Sequence, residues 1–270
     1  MMLSTDDAIL RVKRDLIFSA VVRKGFLALM LVIAMLGPML HSGWISGFVL
    51  MTLLICWMAL QAKSLRKSQQ AAFSPMLIAA GDFQQAEEHI EQSLRGFSIT
   101  QNVKVMCLHY LGMLRHAQKR FDESAMLCRA VLERQTRRIN PIERPATLML
   151  ADSLLELNDL HGAHDAIARL YKHQLSLNEA MQLMVIELDY QSRIASWKTM
   201  LAGAPAKIEL AEAMPTASAA RAQAFLSLAA QNMGLTELSQ WLRRRVELLM
   251  DRKILIEQRP LLASLWDIGP

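Results

Sequence analysis

Residues 114–132 read LRHAQKRFDESAMLCRAVL, and this pattern decides the fold class. Apolar residues recur three and four apart on either side of the polar pair Lys119-Arg120, so two amphipathic helices meet at a tight turn. The same arrangement occurs in MLIAAGDFQQAEEHIEQSL (76–94), turning at Gly81-Asp82, and in SLLELNDLHGAHDAIARLY (153–171), turning at Asn158-Asp159. After each turn comes an apolar residue (Phe83, Phe121, Leu160), a small one three further on (Ala86, Ser124, Ala163), then Ile90, Cys128 or Ile167. With only 11 glycines and 8 prolines, and with 53% of residues hydrophobic, the chain can run as long uninterrupted helices around a core. The expected class is all-α. This composition excludes disorder, collagen and a disulfide scaffold.

The spacing of large and small residues resembles the tetratricopeptide repeat, in which a small side chain sits where two helices cross closely. Leu108, Leu111, Gly112, Ser124, Cys128 and Leu132 follow the family pattern in the middle repeat, and Thr147, Leu150, Ala151, Leu154, Ala163 and Ile167 follow it in the next. The turns lie 38 and 39 residues apart where the family repeats at 34, and the family's closing proline is missing. In the first repeat Pro75 opens the first helix, with Ser74 as its cap, and keeps it short. The resemblance covers residues 68–172 and implies a right-handed superhelix of stacked helix pairs, with a concave surface lined by the first helix of each pair. On the family register that protein-binding face comprises Met106, His109, Met113, His116, Leu148, Asp152, Leu155 and Glu156. Methionine suits an adaptable apolar contact with a peptide or partner helix. Family members that clamp a C-terminal carboxylate use lysine, arginine and asparagine there, and this face offers histidine, methionine and acids instead.

From 173 to 270 the pattern decays but helices continue. Leu177 to Trp197 is expected as one helix, capped at Asn178 and broken by Ala202-Gly203-Ala204-Pro205. Ala206 to Met214, Ala219 to Asn232 and Leu235 to Lys253 follow, the last two as a divergent helical pair. The tail from Pro260, with Leu261, Leu262, Leu265 and Trp266, is expected to cap the stack.

Before the repeats lie GFLALMLVIAMLGPML (25–40) and WISGFVLMTLLICWMALQA (44–62), neither containing a charged residue. A span takes about 20 residues, so the second qualifies directly and the first does so with help from Phe18 to Val22 or from snorkelling Arg23 and Lys24. Three residues separate them, which permits only an antiparallel transmembrane hairpin of two helices over 25–62. Arg11, Lys13, Arg14, Arg23 and Lys24 precede the first span, Lys63, Arg66 and Lys67 follow the second, and the turn has none, so both termini are expected in the cytoplasm. A signal peptide ending near Ser42 lacks a small-residue cleavage site and is followed at once by a second apolar run. Residues 1–24 form a basic amphipathic segment suited to lying along the headgroups.

Residues 1–24 and 63–67 together carry the whole formal charge of +5. The rest balances basic against acidic residues, so the high isoelectric point belongs to the membrane flanks and no nucleic-acid partner is expected. Arg243-Arg244-Arg245 points in three directions around a helix and reads as a solvated face. His161 and His164 have metal-ligand spacing, yet no cysteine or second histidine pair completes a site, so no metal is expected. Cys56, Cys107 and Cys128 sit at apolar positions without a C-x-x-C pair, as reduced thiols. Nucleophile elbows, phosphate-binding loops and dinucleotide glycine patterns are absent, which argues against an enzyme, a cofactor and a small-molecule substrate. The expectation is a membrane-anchored scaffold that binds other proteins at the cytoplasmic face. The alternative is a structural subunit or assembly factor that docks on a larger membrane complex through its hairpin.

Overall fold

A computed structural model describes residues 4–36, 43–96, 101–133 and 142–266. Every element among the described residues is helical, and none is a strand. The all-α expectation therefore holds. The chain divides into two compact units, Met1–Ala146 and Thr147–Pro270.

In the first unit α1 (Thr5–Leu36) and α2 (Gly43–Ala72) are the longest helices, and α1 extends about 48 Å. Over Thr5–Ile33 α1 is long and apolar enough to cross a membrane, and almost none of its most apolar stretch is covered by protein. It is one such helix among the described residues. Phe26 of α1 stacks on Trp57 of α2 at 4.2 Å between ring centroids. Ala8 near the start of α1 and Ala71 near the end of α2 share one core, so the two helices run antiparallel. That core is completed by α3 (Ser74–Ala79), α4 (Phe83–Arg95), α5 (Gln101–Ala117) and α6 (Phe121–Glu133). Pro75 lies in the first turn of α3, as its sequence position predicts, but Phe73 rather than Ser74 occupies the N-cap.

The basic N-terminal segment is not a separate surface helix; from Thr5 onward it forms the larger part of α1. Ala8 and Val12 are fully buried, and Ile9 and Leu16 pack at the edge of the same core, against α5 and α6. A stripe of small and branched residues at helical spacing needs a cover, and the repeat helices supply it within the protein. The opposite side of α1 leaves Leu10, Ile17, Phe18 and Val21 exposed.

The second unit contains the larger part of α7 (Glu143–Glu156), then α8 (Leu160–Leu170), α9 (Leu177–Arg193), α10 (Trp197–Leu201), α11 (Ala204–Glu212), α12 (Thr216–Asn232), α13 (Thr236–Leu249) and α14 (Arg252–Gln258), ending in a 3-10 turn (Pro260–Leu265). Its centre is α12, buried on all sides from Ala222 to Ala230. Alanines at 219, 220, 222, 224, 229 and 230 let α9, α10, α11 and α13 approach its backbone closely, while Phe225 fills the space between them. At the crossing with α13 the Ser227 hydroxyl donates to the Ser239 carbonyl at 2.8 Å.

One local device recurs through both units. Gly81, Lys119, Asn158, Ala195 and Gly234 all adopt positive φ, and the intervals between them are 38, 39, 37 and 39 residues. At each, the amide of the left-handed residue donates to the carbonyl three back, and the next amide donates to the carbonyl four before that left-handed residue. Gly81 bonds Ile78 while Asp82 bonds Leu77, and at the far end Gly234 bonds Gln231 while Leu235 bonds Ala230. This is the Schellman ending of a helix, which satisfies carbonyls that the next turn no longer reaches. A new helix starts two residues after the left-handed position, and its fourth residue is buried in every case: Ala86, Ser124, Ala163, Met200 and Ser239. Four of these turns, at Gly81, Lys119, Asn158 and Gly234, are readable in the sequence. The turn at Ala195 falls inside the single helix expected over 177–197 and divides it into α9 and α10.

A non-glycine residue in the left-handed region costs about 1–2 kcal/mol. Ala195→Gly is therefore expected to stabilise the chain by about 0.5–1 kcal/mol after glycine's extra unfolded-state entropy is subtracted. Gly234→Ala has open space for its Cβ and still loses about 1 kcal/mol from φ of 74°. Thermal unfolding of the two variants checks the pair, and shifts of the same sign would refute the argument.

Candidate functional site

The eight residues read as a protein-binding face fall four in each unit. In the first, Met106, His109, Met113 and His116 lie along α5. Met106 is half-buried against the core, Met113 is half-buried, and His116 meets the edge of Phe121 with 5.2 Å between ring centroids. His109 is buried, and its removal from water pushes the imidazole down to about 4, so it is neutral at physiological pH. It serves as a packed ring rather than as a cation.

In the second unit Leu148 and Leu155 are buried within the protein, so packing uses them and no exposed face does. Asp152 and Glu156 remain half-buried and face a cation, but that cation belongs to the chain itself. Arg259, between α14 and the 3-10 turn, ion-pairs with Glu156 and lies 3.7 Å from Asp152. Its Nε donates to Asp189 at 2.6 Å. Asp189 on α9 is 1% exposed and also accepts from Arg193 Nε at 2.8 Å. Arg221 of α12 approaches Asp152 and Asp189 at 3.9 and 3.8 Å. Three carboxylates and three guanidiniums thus close on one another. The neighbouring acids raise the Arg259 guanidinium further, against the opposing effect of its burial. Leu255, Leu262 and Leu265 enter the core on either side and fix the C-terminal segment.

The first unit holds a comparable pair of buried cations. Lys104 on α5 is 1% exposed, ion-pairs with Asp15 of α1 at 3.0 Å, and donates to the carbonyls of Ser93, Leu94 and Gly96 at the end of α4. Arg115 pairs with Glu87 at 2.8 Å and with Glu123 at 3.2 Å, and Thr5 of α1 donates to that same Glu123. Both clusters join segments far apart in sequence, which is why local pattern gave no sign of them.

His161 and His164 are exposed and each lies 3.9 Å from Asp165. Among the described residues no three His, Cys, Asp or Glu side chains converge where a metal could sit. Cys107 and Cys128 are buried, which pushes their thiols up to about 11 and about 12, so both are poor nucleophiles at neutral pH. An open cavity of about 340 Å³ lies where α8 ends and α9 begins, between Tyr171 and Glu187. Nothing in the local spacing of the sequence marked it. No protein-family model, no curated protein and no solved structure matches this chain.

Proposed function

We propose that this chain is a membrane-anchored adaptor, in which α1 and α2 cross the bilayer as a hairpin and the tetratricopeptide-like helical body recruits proteins at the cytoplasmic face. The observation that carries the reading is α1 itself. Its later half exposes Leu27, Leu31 and Met35, while Ala8 and Val12 of its first half belong to the core of the first unit, so the candidate span continues directly from that core. The uncharged stretch from Trp44 to Ala62 supports a second span, and the basic residues at 11–24 and 63–67 support cytoplasmic termini. Five turns at near-constant spacing support a repeat body, the architecture that offers extended binding surfaces. Confinement to a membrane raises the effective concentration of any second contact, so a modest affinity in the body suffices.

A second reading, a subunit docking on other spans, draws on the exposed row Leu10, Ile17, Phe18 and Val21 along α1. Removing residues 1–67 cannot separate the two, because it strips Ala8, Val12 and Asp15 from the body. The experiment is alkaline carbonate extraction of membranes bearing the full chain, followed by photocrosslinking from single positions. The chain is expected in the pellet, and its release into the supernatant would refute anchoring. A crosslinked partner from Met113 is expected for an adaptor, whereas partners reached only from Ile17 would establish the subunit reading.

A further inference from the structure

The cavity between α8 and α9 has the composition of a recognition pocket. Its floor is Leu170, Leu183 and Met184, all buried, and its wall includes Leu175 from the connecting turn. At the rim Tyr171 is 67% exposed, and its hydroxyl donates to the carboxylate of Glu187. That bond holds the ring beside the carboxylate. Glu187 has no ion-pair partner among the described residues. The cation that acts on it, Lys207 of α11, directs its ammonium to the carbonyls of Thr199 at 3.2 Å and Met200 at 2.8 Å at the end of α10. A half-buried carboxylate with a neutral donor alone is under-compensated, and burial raises the Glu187 acid despite Tyr171 and Lys207.

We propose that this pocket receives an arginine side chain of a partner protein, with its methylenes on Leu170, Leu183 and Met184 and its guanidinium shared between the Glu187 carboxylate and the Tyr171 ring. Three features select this occupant. Among the described residues that line the cavity Tyr171, His173 and Glu187 are ionisable, and Glu187 is the one that carries a formal charge at pH 7, so the complementary group is a cation. An exposed ring fixed beside a carboxylate suits a planar, weakly hydrated cation that can stack and hydrogen-bond together, which favours guanidinium over ammonium. The volume lies at the small end of ligand pockets, and the mouth opens to solvent, so a side chain can enter while its backbone stays outside. The second unit already uses this chemistry internally, since Arg259 is held by carboxylates in its own core.

The inference rests on the adaptor reading for its partner being a protein. The test uses the full chain in lipid nanodiscs with methyl-labelled methionine, the Met184 resonance being assigned through Met184→Leu. Acetyl-Leu-Arg-Leu-amide is titrated beside the citrulline and lysine counterparts. The arginine peptide is expected to shift the Met184 methyl saturably at millimolar concentration, and the citrulline peptide to bind at least about tenfold more weakly. Glu187→Gln should lose about the same factor. Tyr171→Phe keeps the ring but removes the bond that holds it beside the carboxylate, so it should weaken binding of the arginine peptide, though less than Glu187→Gln does. Equal binding of arginine and citrulline peptides, or no shift of Met184 with either, overturns the proposal, and equal binding of the lysine peptide overturns its choice of guanidinium. A silent titration leaves anchoring untouched, and a chain extracted by carbonate leaves the titration untouched, so the two failures are distinguishable.

Discussion

Lys104→Met is expected to destabilise the first unit by about 3–5 kcal/mol, the usual cost of leaving a buried ionic partner uncompensated. The substitution preserves side-chain length and apolar packing, so the loss reports the ammonium itself. Without it, Asp15 loses its ion pair at 3.0 Å and three carbonyls at the end of α4 lose a common donor. Cys107 and Cys128 provide the readout, since both lie in the same unit and are buried. In a Cys56→Ser background their alkylation rate measures opening of the unit, and it should rise by about two to three orders of magnitude. Adding Asp15→Leu removes the stranded carboxylate and should recover part of the loss. A labelling rate within threefold of the unmodified chain would mean that the buried ammonium contributes nothing. The consequence reaches α1, because Asp15 lies on the helix that is long and apolar enough to cross a membrane.

Arg259→Leu is expected to cost the second unit about 3 kcal/mol, at the lower end of that range because Asp189 keeps Arg193. Asp152 and Glu156 would then lose their closest cation, and the three carboxylates would repel one another. The C-terminal segment would keep its apolar contacts through Leu255, Leu262 and Leu265 and its bonds from Arg243 and Gln231 but lose its buried ionic tie, so α14 and the 3-10 turn should open first. Trp266 donates its indole N–H to Glu247 at 2.8 Å, and its fluorescence should become accessible to quencher before the rest of the unit unfolds. Adding Asp189→Asn removes the most buried of the charges left behind and should restore part of the stability. If Arg259→Leu unfolds at the temperature of the unmodified chain, the cluster is a passive surface feature.

The Arg259 cluster explains why Asp152 and Glu156, two of the eight residues expected on a binding face, are engaged within the chain. Asp152 and Glu156 are assigned to that face by the register of the resemblance, and a register cannot reveal an arginine more than a hundred residues later that arrives opposite them. Leu148 and Leu155 have the same difficulty in apolar form, because a helix buried on two sides reads like one with a single exposed groove. The pocket at Tyr171 and Glu187 was illegible for a different reason. It is made at a turn, where residues sixteen apart meet through the direction of the chain and no periodicity connects them.

By itself the sequence determined the class and the rhythm of this protein. Apolar residues three and four apart require helices, Gly81 and Gly234 end two of them by supplying left-handed backbone at little steric cost, Pro75 shortens a third, and the runs at 25–40 and 44–62 require an apolar environment. These are local instructions, each satisfied within one or two turns of chain. Only the tertiary structure decided that Ala195 takes the same left-handed turn without glycine, that the basic N-terminal segment belongs to the body, and that Lys104, Arg115 and Arg259 are buried. Each costs energy in isolation, through backbone strain or the desolvation of a charge. They persist because packing over long sequence separations offsets that cost, and such compensation is a property of the assembled fold rather than of any short stretch of sequence.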